Sequence, residues 1–355
     1  MMCSTPTSDG YWLTLKEVAA DVLSVAPSAM WLRPRPRLEI QSNNLFDAGT
    51  GEQRIVIKEF LKPDEFIEAP NREFKALELL SHLDIAPQPR AIFPQKRNRR
   101  PLVVYDYMDG QMWDRRTPGA EDLARLSDIW IQMNSIQDDN LWLSRHEERP
   151  ILRIWQDIEQ LFDGYFSWAK SEIHPAASLL ELCRTICVKG HGLALQLSRV
   201  DFFRCFCRAD PRFANVISRP GSTLGMVDWE DSGLRDPAKD LADVLTHPNQ
   251  EDLLSWYDWK AFLNPYLASR NRDDPTIEKR FQLYLGLFPV WWLGILLNEG
   301  VRRFEKGVFD GWSIHGIEPN QKLGRYLGRA LAWPNYDYDP MGGDFAGTVF
   351  FPGEA

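Results

Sequence analysis

Asp210 and Asn215 stand five residues apart in Arg208-Ala-Asp-Pro-Arg-Phe-Ala-Asn215, after the apolar run Cys205-Phe-Cys207. Asp228 follows thirteen residues after Asn215, at the end of the short run Met226-Val-Asp228. Phosphoryl transfer requires this set of groups. One carboxylate receives the proton of an attacking hydroxyl, while a carboxamide oxygen and a second carboxylate hold Mg²⁺, an ion that prefers hard oxygen donors. A lone D-x4-N is a common loop pattern. A strand before it and a strand-terminal Asp after it make it specific. Glu230 and Asp231 are the next carboxylates in sequence, and Asp240 lies further on in Asp236-Pro-Ala-Lys-Asp-Leu-Ala242.

The elements that position these residues can be read from periodicity. Thr14-Leu-Lys-Glu17 has a capping-box pattern, with Leu15, Val18, Ala19 and Val22 spaced for a helix. Trp31–Arg37, with prolines at 34 and 36, reads as an extended connector. Strands are predicted at Leu38–Ile40, Asn44–Ala48 and Arg54–Phe60. A helix opens at Asn71 and closes before Pro87. Two more strands, Ala91–Pro94 and Leu102–Tyr107, flank a basic turn at Lys96–Arg100. From Met108 onward the pattern is mainly helical, apart from Phe202–Trp229. Strands first and helices later predict an α+β fold in two lobes, 1–107 and 108–355.

The chain of 355 residues carries 41 basic and 50 acidic side chains, a formal net charge of −9. Residues 1–107 hold 14 of each, so the whole imbalance lies in 108–355. An acidic balance argues against a duplex nucleic-acid binder. The longest apolar run, Tyr284–Leu297, contains Pro289 and is short of the roughly 20 residues of a membrane span. The expectation is a buried helix, no membrane partner and a cytoplasmic protein with reduced thiols. Cys183, Cys187, Cys205 and Cys207 match no common zinc spacing and read as small core residues. Trp256, Tyr257, Trp259, Trp291 and Trp292 read as core packing before an aromatic box for an ammonium group. The aromatic, acidic tail around 335–343 is left open between disorder and a fold-back.

The segment 205–242 resembles the aminoglycoside phosphotransferase/choline kinase family, whose usual form is H-G-D-x4-N, then I-D-W/F-E and G-D-P-x-x-D-L-A. The resemblance spans about Glu39 to Leu297 and is specific between 205 and 242. It implies a protein-kinase-like fold, with a small β-rich N-terminal lobe and a large helical C-terminal lobe. It also implies ATP or GTP with Mg²⁺, and a small-molecule hydroxyl as acceptor. By the same resemblance Asp210 is the catalytic carboxylate, and Asn215 and Asp228 are the metal ligands. Lys58 contacts the α/β-phosphates, Glu73 is its ion-pair partner, and Asp240 props the catalytic loop. The carbonyl of Asp106 and the amide of Met108 would meet the adenine, and Gln41-Ser-Asn-Asn44, with Ser42 and Asn44, takes the place of the glycine-rich loop. Arg212 lies where protein kinases place a lysine on the γ-phosphate, and a guanidinium there would stabilise transferring charge.

Three positions depart from the family form: Arg208 for the histidine, Ala209 for the glycine after it, and Arg235 for the glycine of G-D-P. These departures and the glycine-free loop motivate a rival reading, a nucleotide-binding pseudokinase with a regulatory role. Within the enzyme reading, the charge split favours a cationic acceptor such as an aminoglycoside or other amino-sugar alcohol, with one or both of Glu230 and Asp231 pairing with an ammonium group. A choline or ethanolamine-type alcohol is the alternative.

Overall fold

The computed structural model describes residues 9–36, 43–61, 68–95, 100–113, 117–143, 151–171, 177–250, 253–306 and 319–332. The chain begins with α1 (Asp9–Leu23), β1 (Trp31–Pro34), β2 (Asn43–Gly49), β3 (Arg54–Phe60) and α2 (Ala69–Leu80). Then come β4 (Pro89–Phe93), β5 (Leu102–Asp106), β6 (Gln111–Met112), α3 (Ala120–Asn134), α4 (Ile151–Ser171) and α5 (Ala177–Leu197). Four short strands follow, β7 (Cys205–Cys207), β8 (Val216–Ser218), β9 (Leu224–Met226) and β10 (Gly233–Arg235). The last helices are α6 (Pro237–Thr246), α7 (Trp256–Arg270), α8 (Ile277–Glu305) and α9 (Pro319–Ala332). The α+β class is therefore the observed one.

The chain forms two compact units: residues 1–115 with 214–233, and residues 116–213 with 234–355. The lobes read from the sequence, 1–107 and 108–355, are continuous segments, whereas these units are not. The reason is hydrogen bonding: β8 pairs with β6 through Gln111–Ser218 and Met112–Ile217, and β9 pairs with β8.

In the first unit, five antiparallel strands run in the order β1-β2-β3-β5-β4. Leu15, Val18 and Ala19 of α1 pack on Phe46, Ala48, Ile55, Ile57, Leu102 and Val104, which share one face of the sheet. Side chains alternate along a strand, so Val56, Lys58 and Phe60 point the other way, and all three are buried. Two local expectations fail here. Thr14 does not cap α1, which starts five residues earlier; its hydroxyl donates to the Gly10 carbonyl one turn back, 2.9 Å. Threonine satisfies either pattern, so spacing alone does not separate them. The stretch read as a connector contains β1, whose Trp31–Pro34 pair with Phe46–Gly49. The predicted strand Leu38–Ile40 and most of the basic turn lie outside the described residues.

The second unit is helical. α8 packs against α4, α5, α6 and α9. By length and composition Ile277–Arg303 could cross a membrane, yet 72% of its apolar window is buried inside the protein. That burial suits a core helix.

Candidate active site

In the first unit, β3 delivers Lys58 to the sheet face opposite α1, where the side chain is only 3% exposed. Its ammonium meets three carboxylates: Asp228 Oδ1 at 2.5 Å, Glu73 Oε2 at 3.0 Å and Glu230 Oε2 at 3.1 Å. It also lies over the Phe60 ring, 5.1 Å from the centroid. Burial works against the charge of Lys58, but Asp228, Glu230 and Glu73 outweigh it and hold the pKa well above the usual lysine value. Burial pushes the Glu73 carboxyl up to about 7, although Lys58 pulls it down.

Glu73 has a second task that spacing did not reveal. The backbone N–H of Trp229 donates to its Oε2 at 2.7 Å, so α2 fixes the peptide that follows Asp228. Asp228 itself is in the left-handed region, φ +70°, a conformation that few non-glycine residues adopt, Asp among the more frequent. The Val227 N–H donates to the Asn215 carbonyl at 3.0 Å, which ties Asn215 to the residue before Asp228. The Asn215 carboxamide nitrogen is buried without a hydrogen-bond partner among the described residues, so that amide is not spent on the fold.

Two of the expected residues in this unit already have partners. Asn44 is turned to the α1 face, where its Nδ2 donates to Glu59 Oε2 at 2.7 Å beside the Tyr11 hydroxyl. Its neighbour Asn43 occupies the Lys58 face and donates to Glu230 Oε2 at 2.8 Å. Phe46 and Ala48 in the α1 cluster already implied this, because residues 44, 46 and 48 share a face. Glu230 is held by Lys58, by Asn43 and by Arg72, whose Nε donates to its carbonyl at 2.9 Å. The left-handed turn at Asp228 swings Glu230 back toward the lysine. Burial raises the Glu230 pKa, and Asp231 beside it adds to the rise. Asp106 closes β5 with its amide on the Gln88 carbonyl and its carboxylate on Arg90, at 2.6 and 2.7 Å. Met108 lies over β9 at Gly225, where a Cβ would come within 2.8 Å of Met108 Cε. Ser42 is outside the described residues.

In the second unit, β7 leads into Arg208-Ala-Asp210. Arg212 Nε and Nη2 donate to Asp210 Oδ2 at 2.8 and 2.5 Å, so the two expected catalytic side chains form one ion pair. Asp240, on α6, accepts from the Ala209 N–H at 3.1 Å, in keeping with a prop for this loop. Sequence reasoning missed two buried neighbours. Arg235 Nη1 donates to the Ala209 carbonyl at 2.8 Å and pairs with Asp240 at 2.9 Å and Asp243 at 3.5 Å. Gln250 accepts from the Phe213 N–H at 2.7 Å and donates to the carbonyls of Pro211 and Val244, at 3.1 and 2.6 Å. Burial pushes Asp243 up to about 7, because one Arg235 charge serves two buried carboxylates. No sequence pattern links residue 250 to residues 211 and 213.

The Trp256 side chain lies outside the description, and the described aromatic residues do not gather into one box. Trp259 is buried against Phe213 and Phe262, Trp291 stacks on Phe288, and Trp292 meets His247, while Tyr257 is 81% exposed. Among the described residues, all cysteines are free thiols, and no three His, Cys, Asp or Glu side chains converge as a metal cage. The acidic tail is outside the described residues.

Comparison with known proteins places the fold. The choline kinase LicA from Streptococcus pneumoniae superposes with TM-score 0.56 at 16% identity, covering 90% of this chain and 99% of that one. The Plasmodium vivax ethanolamine kinase gives 0.60 at 16%, covering 92% and 91%. The gentamicin–APH(2")-IIa complex gives 0.57 at 15%, covering 94% and 98%. A further LicA structure is a complex with AMP. At such identities the likeness shows the fold, which is the protein-kinase-like one expected. No curated protein sequence matches the chain. The model of the phosphotransferase enzyme family, however, matches residues 35–275. That match takes in Lys58, Glu73, Asp210, Asn215 and Asp228 together, and the chain belongs to the phosphotransferase enzyme family.

Proposed function

We propose that this small-molecule phosphotransferase is an ATP-dependent kinase for the hydroxyl group of an amine-bearing alcohol. The observation that carries the reading is the buried Lys58, joined to Glu73 and Asp228, with Asn215 hydrogen-bonded beside Asp228. Lysine in this setting is a fixed positive charge for phosphate oxygens, and Glu73 holds it in place. Asp228 and Asn215 are the residues that would hold Mg²⁺; two hard oxygens suit an ion that takes its other ligands from water and phosphates. When bound, the ion neutralises phosphate charge. Asp210 orients the acceptor hydroxyl and accepts its proton, and the Arg212 pair fixes that carboxylate. In such sites positioning and charge stabilisation supply most of the rate.

The AMP complex of LicA supports an adenine nucleotide. Choline, ethanolamine and gentamicin all carry cationic nitrogen, which agrees with the acidic excess in residues 108–355. Such a reaction draws on a cytoplasmic nucleotide pool.

The test is a thermal-shift titration with ATP, with and without Mg²⁺, and with GTP, alongside ADP release over choline, ethanolamine, gentamicin and neutral sugars. A ligand at one hundred times its Kd stabilises by about 2.7 kcal/mol. MgATP should raise Tm more than ATP alone, and Asp228→Ala should remove that difference. No shift with any nucleotide, or a shift without ADP release over the whole panel, would overturn the proposal.

A further inference from the structure

Three consecutive carbonyls around Asp210 are each taken by a buried side chain. Arg235 Nη1 holds that of Ala209 at 2.8 Å, Arg208 Nε that of Asp210 at 2.8 Å, and Gln250 Nε2 that of Pro211 at 3.1 Å. Gln250 also receives the Phe213 N–H. We propose that Arg208, Arg235 and Gln250 are positioning residues that fix the direction of the Asp210 carboxylate. The inference rests on the reading of Asp210 given above and adds what holds it.

The geometry acts through the backbone. Each peptide is a rigid plane, so holding the carbonyls of residues 209 and 210 fixes the planes on both sides of the Asp210 Cα. Its φ, its ψ and the direction of its Cβ are then set. Ala209 is at φ +65°, a conformation that L-residues other than Asn and Asp adopt rarely. It is gripped at both ends by one ion pair, Asp240 on its N–H and Arg235 on its carbonyl. Two guanidiniums at 1% exposure are an expensive way to gain stability, since apolar side chains of similar volume often do as well or better. Apolar side chains cannot hold a carbonyl. The family form has glycine at 235, which makes none of these contacts. The departures at 208, 209 and 235 therefore belong together: a left-handed alanine is locked by arginines that the family form lacks.

The experiment compares wild type with Arg235→Gln, Arg235→Lys, Gln250→Met and Asp210→Asn. ADP release from MgATP is followed with choline, ethanolamine and gentamicin, and amide hydrogen exchange is measured on the segment 208–213 and on α8. Displacement of the carboxylate by an ångström is expected to lower kcat about 10- to 100-fold. Arg235→Gln and Gln250→Met should show that loss with the KM for ATP within about twofold, while Arg235→Lys recovers much of it. Exchange in 208–213 should rise about tenfold in the first two variants and stay unchanged in α8. If Asp210→Asn is inactive while Arg235→Gln and Gln250→Met keep kcat within twofold, positioning is overturned and the role of Asp210 stands. If Asp210→Asn stays active, the reading of Asp210 fails instead. Should none of the three acceptors be turned over, exchange decides: unchanged protection in 208–213, or an equal rise in α8, overturns the inference.

Discussion

Ala209 and Lys58 show what a single residue does in each unit. Ala209 is left-handed, and glycine at that φ escapes the Cβ penalty. Ala209→Gly is therefore expected to raise unfolding stability by about 1 kcal/mol, measured by urea titration at constant m-value. An unchanged or lower midpoint would contradict the strained backbone. Lys58 was legible in the sequence because alternation along Arg54–Phe60 placed it with Val56 and Phe60, and the structure agrees. The side on which Asn44 lies depends on strand register, since a shift of one residue in a strand moves a side chain to the other side of the sheet. The contacts of Glu230 are not legible, because sequence proximity to Asp228 says nothing of the turn between them. The left-handed Asp228 decides that, and it sends Glu230 to Lys58.

At the scale of elements, α6 connects the core to the loop around Asp210. Its N-cap Asp236 accepts from the Ala238 N–H at 3.0 Å and pairs with Arg280 of α8, which also binds Asp274. At its other end the Tyr326 hydroxyl donates to the Thr246 carbonyl, 2.5 Å, and Gln250 to that of Val244. Between these anchors α6 carries Asp240 and Asp243. Asp236→Ala removes the cap and leaves Arg280 short of a buried partner, so it should cost about 3–5 kcal/mol of unfolding free energy. A loss below about 1 kcal/mol would show that the helix is anchored elsewhere. Asp243 gives the element a pH response. Its folded pKa, about 7, lies above the ordinary aspartate value. Its contribution is thus fully present below pH 4 and is lost as pH rises through 7. Tm should fall more between pH 5 and 8 in the wild type than in Asp243→Asn. Parallel Tm profiles would contradict a buried, protonated Asp243. The helices themselves were legible from apolar spacing, but these anchors were not. They join residues such as 236 and 280, or 246 and 326, whose meeting depends on how helices pack.

For the whole molecule, the class of fold and the order of the motif residues were legible because phosphoryl transfer demands few residue types in a fixed succession. The composition of the units was not, because β8 pairs with β6 across a hundred residues of intervening chain and brings β9 with it. The charge imbalance of −9 in residues 108–355 is a property at this scale. Clefts of one sign concentrate ligands of the other, and the Debye length shrinks from about 10 Å at 0.1 M salt to about 3 Å at 1 M. For a cationic acceptor kcat/KM should therefore fall with salt, and for a neutral sugar it should not. Equal salt profiles for the two would remove the electrostatic argument for a cation. The central claim is that the chain phosphorylates a small-molecule hydroxyl through Asp210. The most direct measurement is a library of hydroxyl compounds incubated with MgATP and the protein, read by mass spectrometry, with Asp210→Asn run in parallel. At least one amine-bearing alcohol should gain a single phosphoryl group with the wild type and none with the variant. Phosphorylated product at equal yield with Asp210→Asn, or nucleotide binding with no phosphorylated product across the library, would contradict it.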